Sequence, residues 1–102
     1  MSELLEDLVT GLAGFEWDAG NSDKSWLRHE VSQAEAEQAL LNIPLVVSAT
    51  IRHQGAEPRF IALGQTDVER LLTVVFTVRG TLVRVISARA MSKAERRVYG
   101  QL

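Results

Sequence analysis

Residues 71–89 constrain the fold of this chain more than any other stretch, because they have the pattern of two long strands joined by one turn. β-Branched and aromatic residues dominate both arms, and Gly80-Thr81 fits a two-residue turn whose first central position favours glycine. The predicted cross-strand pairs are Val78 with Val83, Phe76 with Val85, Thr77 with Arg84, and Arg79 with Leu82. One face of the hairpin is then apolar, and the other carries arginines and threonines. Such a polar face is either the solvated side of a half-buried sheet, which is the ordinary case, or a binding surface.

The length of 102 residues predicts a single domain with one hydrophobic core. The absence of cysteine excludes a disulfide framework, a thiolate nucleophile and a cysteine-rich zinc site, and it suits a reducing cytosol. No apolar run approaches the roughly 20 residues that span a bilayer, and no basic segment precedes an apolar one at the N-terminus. We therefore expect a soluble, cytoplasmic protein that does not bind a membrane.

The charges are unevenly distributed along the chain, although the formal net charge is only -2. Residues 1–18 contain acidic side chains and no basic one, whereas Glu95 is the single acidic residue among the basic ones of residues 79–102. A clustered basic surface would suit phosphate binding, and scattered solvated arginines are the alternative.

Residues 2–13 place leucine and valine at helical spacing, with acidic residues in the first turns and Gly14 available as the C-terminal stop. We predict an amphipathic helix here and treat residues 1–14 as an N-terminal helical extension of the single domain 1–102. Its apolar stripe would pack either on this domain or on a second copy, so a homodimer is one possibility. A membrane-surface role is disfavoured because the polar face is acidic.

The next segment combines a short strand with a short helix. Residues 15–18 alternate apolar and polar side chains, which is typical of a strand. In the helix that follows, Lys24 and Arg28 lie four residues apart on one face, whereas Trp26 and Leu27 are expected to turn inward. Neighbouring like charges cost a helix a few tenths of a kcal/mol. They indicate either an anionic partner or merely a solvated face.

Two capping boxes mark the starts of later helices, at Ser32 with Glu35 and at Ser92 with Glu95. Residues 45–51 and 59–63 have the composition of strands, and the polar loop between them contains His53. Consecutive strands joined by short loops pair antiparallel. We therefore predict an α+β fold in which N-terminal helices and a C-terminal helix lie on one face of an antiparallel sheet of about four strands.

The usual enzyme signatures are absent from the sequence. Its two histidines are too far apart to indicate a metal site, and no HExxH motif, GxSxG elbow or glycine-rich phosphate loop occurs. Basic side chains do lie on elements that would converge on the sheet: Lys24, Arg28, His29, His53, Arg59, Arg70, Arg79, Arg84 and Arg89. Metal-free RNA cleavage needs only such groups, to take the ribose 2′-hydroxyl proton, stabilise the phosphorane and protonate the leaving oxygen. We therefore expect no metal and no cofactor.

Two groups of motifs stand out in their order and spacing. The first comprises Phe15-Glu16-Trp17-Asp18, Gly20-Asn21, Lys24, Trp26, Arg28-His29, Val31 and Glu35-Ala36-Glu37. The second comprises Arg59-Phe60-Ile61-Ala62-Leu63-Gly64-Gln65-Thr66, Arg70-Leu71-Leu72, Val75-Phe76-Thr77-Val78-Arg79, Arg84-Val85-Ile86-Ser87-Ala88-Arg89, Met91-Ser92-Lys93 and Glu95-Arg96. Together they resemble the BrnT family of type II toxins over roughly residues 15–99.

The resemblance implies a RelE-like α+β fold and ribonuclease activity on RNA. It also implies a cognate BrnA-type antitoxin with a ribbon-helix-helix DNA-binding domain, which neutralises the toxin in a heterotetramer. Toxin and antitoxin together would repress their own operon. This chain would then contact DNA only indirectly, through the antitoxin.

The resemblance also implies roles for individual residues. Arg59, Arg84 and Arg89 would bind phosphate and stabilise transition-state charge, and His29 would transfer a proton. The residues expected to bind RNA around them are Lys24, Arg28, His53, Arg70, Arg79 and Lys93. Each role has a structural alternative: Arg84 could simply pair with a strand neighbour, and His29 could cap its own helix. Ser87 is expected to be structural.

The sequence departs from the family pattern at several positions. Ser25 stands where asparagine is frequent, Arg28 where lysine is frequent, Glu30 where glycine is frequent and Ala90 where aspartate is frequent. The serine that commonly follows the histidine at position 53 is missing, as is the acidic residue usually seen just before it. The alternative function is therefore a catalytically degenerate toxin homologue that acts as an antitoxin-binding, co-repressor module.

Overall fold

The computed structural model describes residues 13–50 and 58–102. In chain order its elements are β1 (Gly14–Phe15), α1 (Lys24–His29), α2 (Gln33–Leu41), β2 (Val46–Ala49), β3 (Phe60–Gln65), β4 (Leu71–Arg79), β5 (Leu82–Ala90) and α3 (Lys93–Tyr99). His53 and all but the last residue of the helix predicted over residues 2–13 lie outside the described residues. Within the two described ranges, no helix combines the length and the apolar character needed to cross a membrane.

The fold is α+β, as predicted, with five strands in the order β1-β5-β4-β3-β2. Strands β2 to β5 form the predicted antiparallel meander. The additional strand is β1, which pairs parallel with β5 through Gly14 opposite Leu82 and Phe15 opposite Val83. The alternation over residues 15–18 predicted a short strand here, and β1 overlaps that range at Phe15. Its partners on β5 lie far along the chain, and the count of about four strands left it out.

The register of the β4–β5 hairpin confirms all four pairs predicted from the Gly80-Thr81 turn. Beyond them the ladder contains a β-bulge, because Phe76 pairs with Val85 whereas its neighbour Val75 pairs with Ser87. Ile86 is therefore an extra residue on β5. Without the bulge, strand alternation would put Arg84 and Arg89 on opposite faces of the sheet. With it, both lie on the face of β4 that carries Thr73 and Thr77; we call this the polar face.

The opposite face of the sheet carries the main hydrophobic core. Leu72, Val74 and Phe76 of β4 are buried there together with Ala36 and Ala39 of α2. Gly64 of β3 allows α2 to pack this closely, because a Cβ atom on Gly64 would overlap the carbonyl group of Ala39. The first two helices are thereby packed onto one side of the meander.

The helix α3 packs on the polar face, so the prediction that all helices share one face was wrong. Its Tyr99 is buried in a second cluster with Leu63 and Met91, and Leu63 alternates with the core residue Ala62 along β3. Only one residue separates Met91 from α3, and the helix therefore turns back over the sheet end where β5 finishes. It covers that end of the polar face and leaves the hairpin end open.

Local signals in the sequence were accurate where they concerned helix starts. Both capping boxes are present, with Ser32 and Glu35 at α2 and Ser92 and Glu95 at α3.

The inward orientation predicted for Trp26 and Leu27 was wrong, because they are 54% and 79% exposed. The residue of α1 that turns inward is Ser25, whose hydroxyl oxygen accepts a hydrogen bond of 2.8 Å from the backbone amide of Ala88.

Candidate functional site

A cleft of about 370 Å³ opens at the hairpin end of the polar face. Four of the basic residues singled out in the sequence line it. The full lining consists of Gly20, Asn21, Lys24, Arg59, Thr77, Arg79, Arg84, Val85 and Ile86. We call this hollow the basic cleft. Two of the three predicted phosphate-binding residues, Arg59 and Arg84, meet in it.

The sheet places three arginines of the basic cleft side by side. Arg84 lies directly opposite Thr77 in the β4–β5 ladder, and Arg79 is two residues further along β4. Arg59 immediately precedes Phe60, which pairs with Phe76 and thus enters the sheet beside Thr77. The hydroxyl of Thr77 donates a 2.5 Å hydrogen bond to the carbonyl oxygen of Pro58 and so holds the backbone that leads into Arg59.

Asn21 fixes the opposite wall of the basic cleft. Its amide nitrogen donates to the carbonyl oxygens of Glu16, at 3.0 Å, and Val85, at 2.9 Å, and its amide oxygen accepts from the backbone of Asp18 at 2.8 Å. The residue is only 5% exposed, so these bonds replace its contacts with water. The turn that precedes Lys24 is thereby tied to β5. The sequence assigned no such role to Asn21, although it stands in the first group of motifs.

Arg84 makes the densest set of polar contacts in the site. Its guanidinium donates to Glu16 at 2.8 Å and to both oxygens of Asp18, at 2.8 and 3.0 Å. Its side chain is only 14% exposed. The hydrogen bonds that Arg84 donates to Asp18, and secondly to Glu16, raise the pKa of Arg84 further above its ordinary value. Arg84 therefore stays cationic and is held in one orientation.

The two carboxylates beside Arg84 were missed as site residues from the sequence. Asp18 has a pKa below its usual range, chiefly because the Arg84 side chain hydrogen-bonds it and secondly because the backbone amide of Gly20 does. Glu16 accepts from Arg79 at 3.4 Å as well as from Arg84. Both acidic residues belong to the Phe15 to Asp18 motif, which was the available signal for their importance.

The lining of the basic cleft carries one lysine and three arginines. Among the described residues, Glu16 accepts from Arg79 and Arg84, and Asp18 accepts from Arg84. Ammonium and guanidinium donors of this kind suit an anionic group such as a phosphodiester.

Arg89 lies on the polar face but outside the basic cleft. Its guanidinium forms a bidentate pair with Glu95, at 2.7 and 2.9 Å. Glu95 also accepts from Thr73 at 2.9 Å and from the backbone amide of Ser92 at 2.8 Å. The hydrogen bond from Arg89 is the main reason why the pKa of Glu95 falls to about 2. Arg89 thus joins α3 to the sheet, and its predicted role with phosphate stays a prediction.

The remaining predicted residues that the structure describes do not line the cleft. Arg70 pairs with Glu35 at 2.8 Å and donates to the backbone oxygens of Glu30 and His29, which anchors the junction between α1 and α2. His29 is exposed at the C-terminal end of α1. Arg28 and Lys93 are also exposed and do not line the basic cleft. Within residues 13–50 and 58–102, no group of three or more histidine or acidic residues is placed to hold a metal ion.

Comparison with known proteins adds one match. A family model described as "Ribonuclease toxin, BrnT, of type II toxin-antitoxin system" matches residues 17–95 of this chain. The matched range contains all nine residues that line the basic cleft. A search of curated proteins finds no match.

Proposed function

The chain belongs to the BrnT family of ribonuclease toxins of type II toxin-antitoxin systems, and on that premise we propose that its basic cleft is the site of RNA cleavage. The observation that carries the proposal is the shared location of Lys24, Arg59, Arg79 and Arg84 in one cleft. Lys24, Arg59 and the hairpin that carries Arg79 and Arg84 are widely separated in the sequence. Only the fold brings these three segments to a single cleft.

We propose a metal-independent reaction in which the ribose 2′-hydroxyl attacks the adjacent phosphorus. The phosphorane that forms carries more negative charge than the phosphodiester, and preorganised guanidinium groups stabilise that additional charge. Arg59 and Arg84 take this role, with Lys24 and Arg79 holding the neighbouring RNA backbone. The products are a 2′,3′-cyclic phosphate and a 5′-hydroxyl end. Contacts of RNA with Arg28, Arg70, Arg89 and Lys93, which do not line the cleft, and with His53 remain predictions.

Membership of this toxin-antitoxin family implies an antitoxin partner. We propose that this partner is of the BrnA type, with a ribbon-helix-helix domain, and that two copies of each chain form a heterotetramer. DNA would be contacted through the antitoxin, and the complex would repress its own operon. The single domain 1–102, with the extension 1–14 available for a homodimer, is part of the same proposal.

Incubation of the purified protein with end-labelled RNA in excess chelator tests the activity. We expect cleavage products with cyclic phosphate ends, and their disappearance when the cognate antitoxin is added. Arg84→Ala should abolish cleavage, whereas Arg97→Ala, at an exposed position of α3 outside the cleft, is the matched control. A folded wild-type protein that cleaves no RNA in the chelator would contradict the proposal.

One observation favours the second candidate, the degenerate co-repressor module. Arg84 is already bonded to two carboxylates, and a phosphate would have to compete with them. A protein of this second kind would bind the antitoxin stably, and cells expressing it alone would grow normally. Growth arrest by the free protein distinguishes the two candidates.

A further inference from the structure

We infer that Glu16 is the residue that takes the proton from the ribose 2′-hydroxyl. This inference rests on the proposed function, since it names a further catalytic residue for that cleavage. The described residues that line the basic cleft include cations, threonine and asparagine but no carboxylate and no imidazole. Among the residues that the structure describes, the candidates for a general base are therefore groups that border the cleft and contact its lining.

The backbone directs Glu16 to the polar face. Its amide donates to the carbonyl oxygen of Val83 at 2.8 Å, which extends the parallel pairing of β1 with β5 by one residue. Phe15 and Trp17 on either side pack against the main core. Because side chains alternate along an extended strand, Glu16 lies on the other face, where Arg84 is.

The contacts of Glu16 leave one carboxylate oxygen available. Arg84 donates to Oε1 at 2.8 Å and Arg79 donates to the same atom at 3.4 Å. Among the described residues, no hydrogen bond to Oε2 accompanies these two. The side chain is 29% exposed, so a substrate hydroxyl can reach it. Oε2 is thus a proton acceptor beside the two guanidinium groups that would hold the phosphate.

The other candidates for the base in the described part of the chain are less suitably placed. Both oxygens of Asp18 are already hydrogen-bonded to Arg84, and Gly20 adds a backbone bond. The lowered pKa of Asp18 further weakens it as a base. His29 is five positions beyond Lys24 on α1, which corresponds to about 7.5 Å along a helix axis, and it does not line the basic cleft.

In the cleavage step one bond to phosphorus forms while another breaks. Oε2 of Glu16 takes the 2′-hydroxyl proton while O2′ bonds to phosphorus, and the bond from phosphorus to O5′ breaks. The departing O5′ takes a proton from the ammonium group of Lys24, because a guanidinium does not give up its proton in a protein. Exchange with water returns the proton to Lys24 and removes the one on Glu16. No oxidant, reductant or metal enters the step.

Glu16→Gln is the direct test, because the amide keeps the shape and can still accept from Arg84 but cannot take a proton. We expect kcat for RNA cleavage to fall by about 10² to 10⁴-fold, the usual contribution of a general base, with a much smaller change in KM. The acid limb of the pH–rate profile should disappear. Glu69→Gln, in the exposed turn between β3 and β4, is the matched control. It should behave like the wild type.

A second variant keeps the test decisive if Glu16→Gln fails to fold. In Glu16→Gly, added formate should restore part of the lost cleavage, which a purely structural role of Glu16 would not produce. Any one of three results would overturn this inference and leave the proposed function intact. They are cleavage by Glu16→Gln within about threefold of the wild type, loss of the acid limb in His29→Gln instead, and a folded Glu16→Gly that formate does not rescue. An absence of cleavage by the wild-type protein would overturn the proposed function as well.

Discussion

Arg84 and Asp18, 66 positions apart in the chain, form a bidentate pair in which the guanidinium donates to both carboxylate oxygens, at 2.8 and 3.0 Å. The pair links the turn after β1 to the first part of β5. It also fixes the plane of the Arg84 guanidinium at the basic cleft. An arginine that is already oriented loses less conformational entropy when it binds a phosphate.

The first prediction concerns the geometry of this arginine rather than its charge. Arg84→Lys keeps a cation but cannot make the two parallel hydrogen bonds to Asp18. We expect kcat for RNA cleavage to fall by about 10² to 10³-fold, with unfolding still cooperative. Arg97→Lys, on the exposed side of α3, is the control. Full activity of Arg84→Lys would show that only the charge matters.

The second prediction concerns stability in acid. The pKa of Glu95 is about 2 in the folded protein, below its ordinary value of 4.5, mainly because of Arg89. Because the pKa of Glu95 is lower in the folded protein than in the unfolded chain, its ionised carboxylate stabilises the fold above pH 4.5. This contribution is lost as the pH falls toward 2. With partial exposure of the pair taken into account, we expect a loss of about 1–2 kcal/mol.

Urea unfolding of the wild type and Glu95→Gln at pH 7 and pH 3 measures this contribution. The difference in unfolding free energy between the two proteins should be smaller at pH 3 than at pH 7. Equal differences at the two pH values would mean that the carboxylate of Glu95 contributes no pH-dependent stability.

The third prediction compares two glycines that are special for different reasons. Gly64→Ala places a Cβ atom against the Ala39 carbonyl oxygen and 3.3 Å from the Leu45 side chain, so α2 must move. Gly80→Ala meets no atom within 4 Å, but its φ of 62° disfavours an L side chain. We expect about 3 kcal/mol of destabilisation at Gly64 and about 1 kcal/mol at Gly80. Thermal unfolding ranks them, and the reverse order would contradict the packing argument.

The fourth prediction concerns a position at which the chain departs from the family. Glu30 has φ 54°, in the left-handed region, at the C-terminal end of α1. Its backbone oxygen accepts from Arg70 at 2.9 Å, and this bond does not depend on the side chain. Glu30→Gly should therefore raise the unfolding free energy by about 0.5–1 kcal/mol. The reason is that the relief of backbone strain in the folded protein outweighs the greater conformational entropy of glycine in the unfolded chain.

Chemical denaturation of Glu30→Gly measures this gain. Glu69→Gly is the matched comparison, because Glu69 has φ 64° in an exposed turn. A destabilised Glu30→Gly with a stabilised Glu69→Gly would indicate that the Glu30 side chain itself contributes to the fold.

The sequence-based predictions were accurate where the deciding interactions are between residues close together in the chain, and less accurate where they are between distant ones. The Gly80-Thr81 turn predicted its neighbouring pairs correctly, because a two-residue turn leaves no freedom in the adjoining register. The bulge at Ile86 was not predicted, since β-branched residues continue through it without a break in pattern. Trp26 was placed inward on hydrophobicity, yet close packing of α1 against β5 uses the small side chain of Ser25.

The sequence by itself determined the α+β class, the hairpin register, the capped helix starts and the family, because each of these depends on neighbouring residues or on motifs in a fixed order. The tertiary structure decided which basic residues share one site. Strand alternation alone would have separated Arg84 from Arg89, and the bulge at Ile86 put them on one face. The position of α3 then placed Glu95 where it pairs with Arg89, whereas Arg84 lines the open cleft. Glu16 was brought to Arg84 by the two-residue parallel strand β1 that precedes it, and no local pattern encodes this long-range contact.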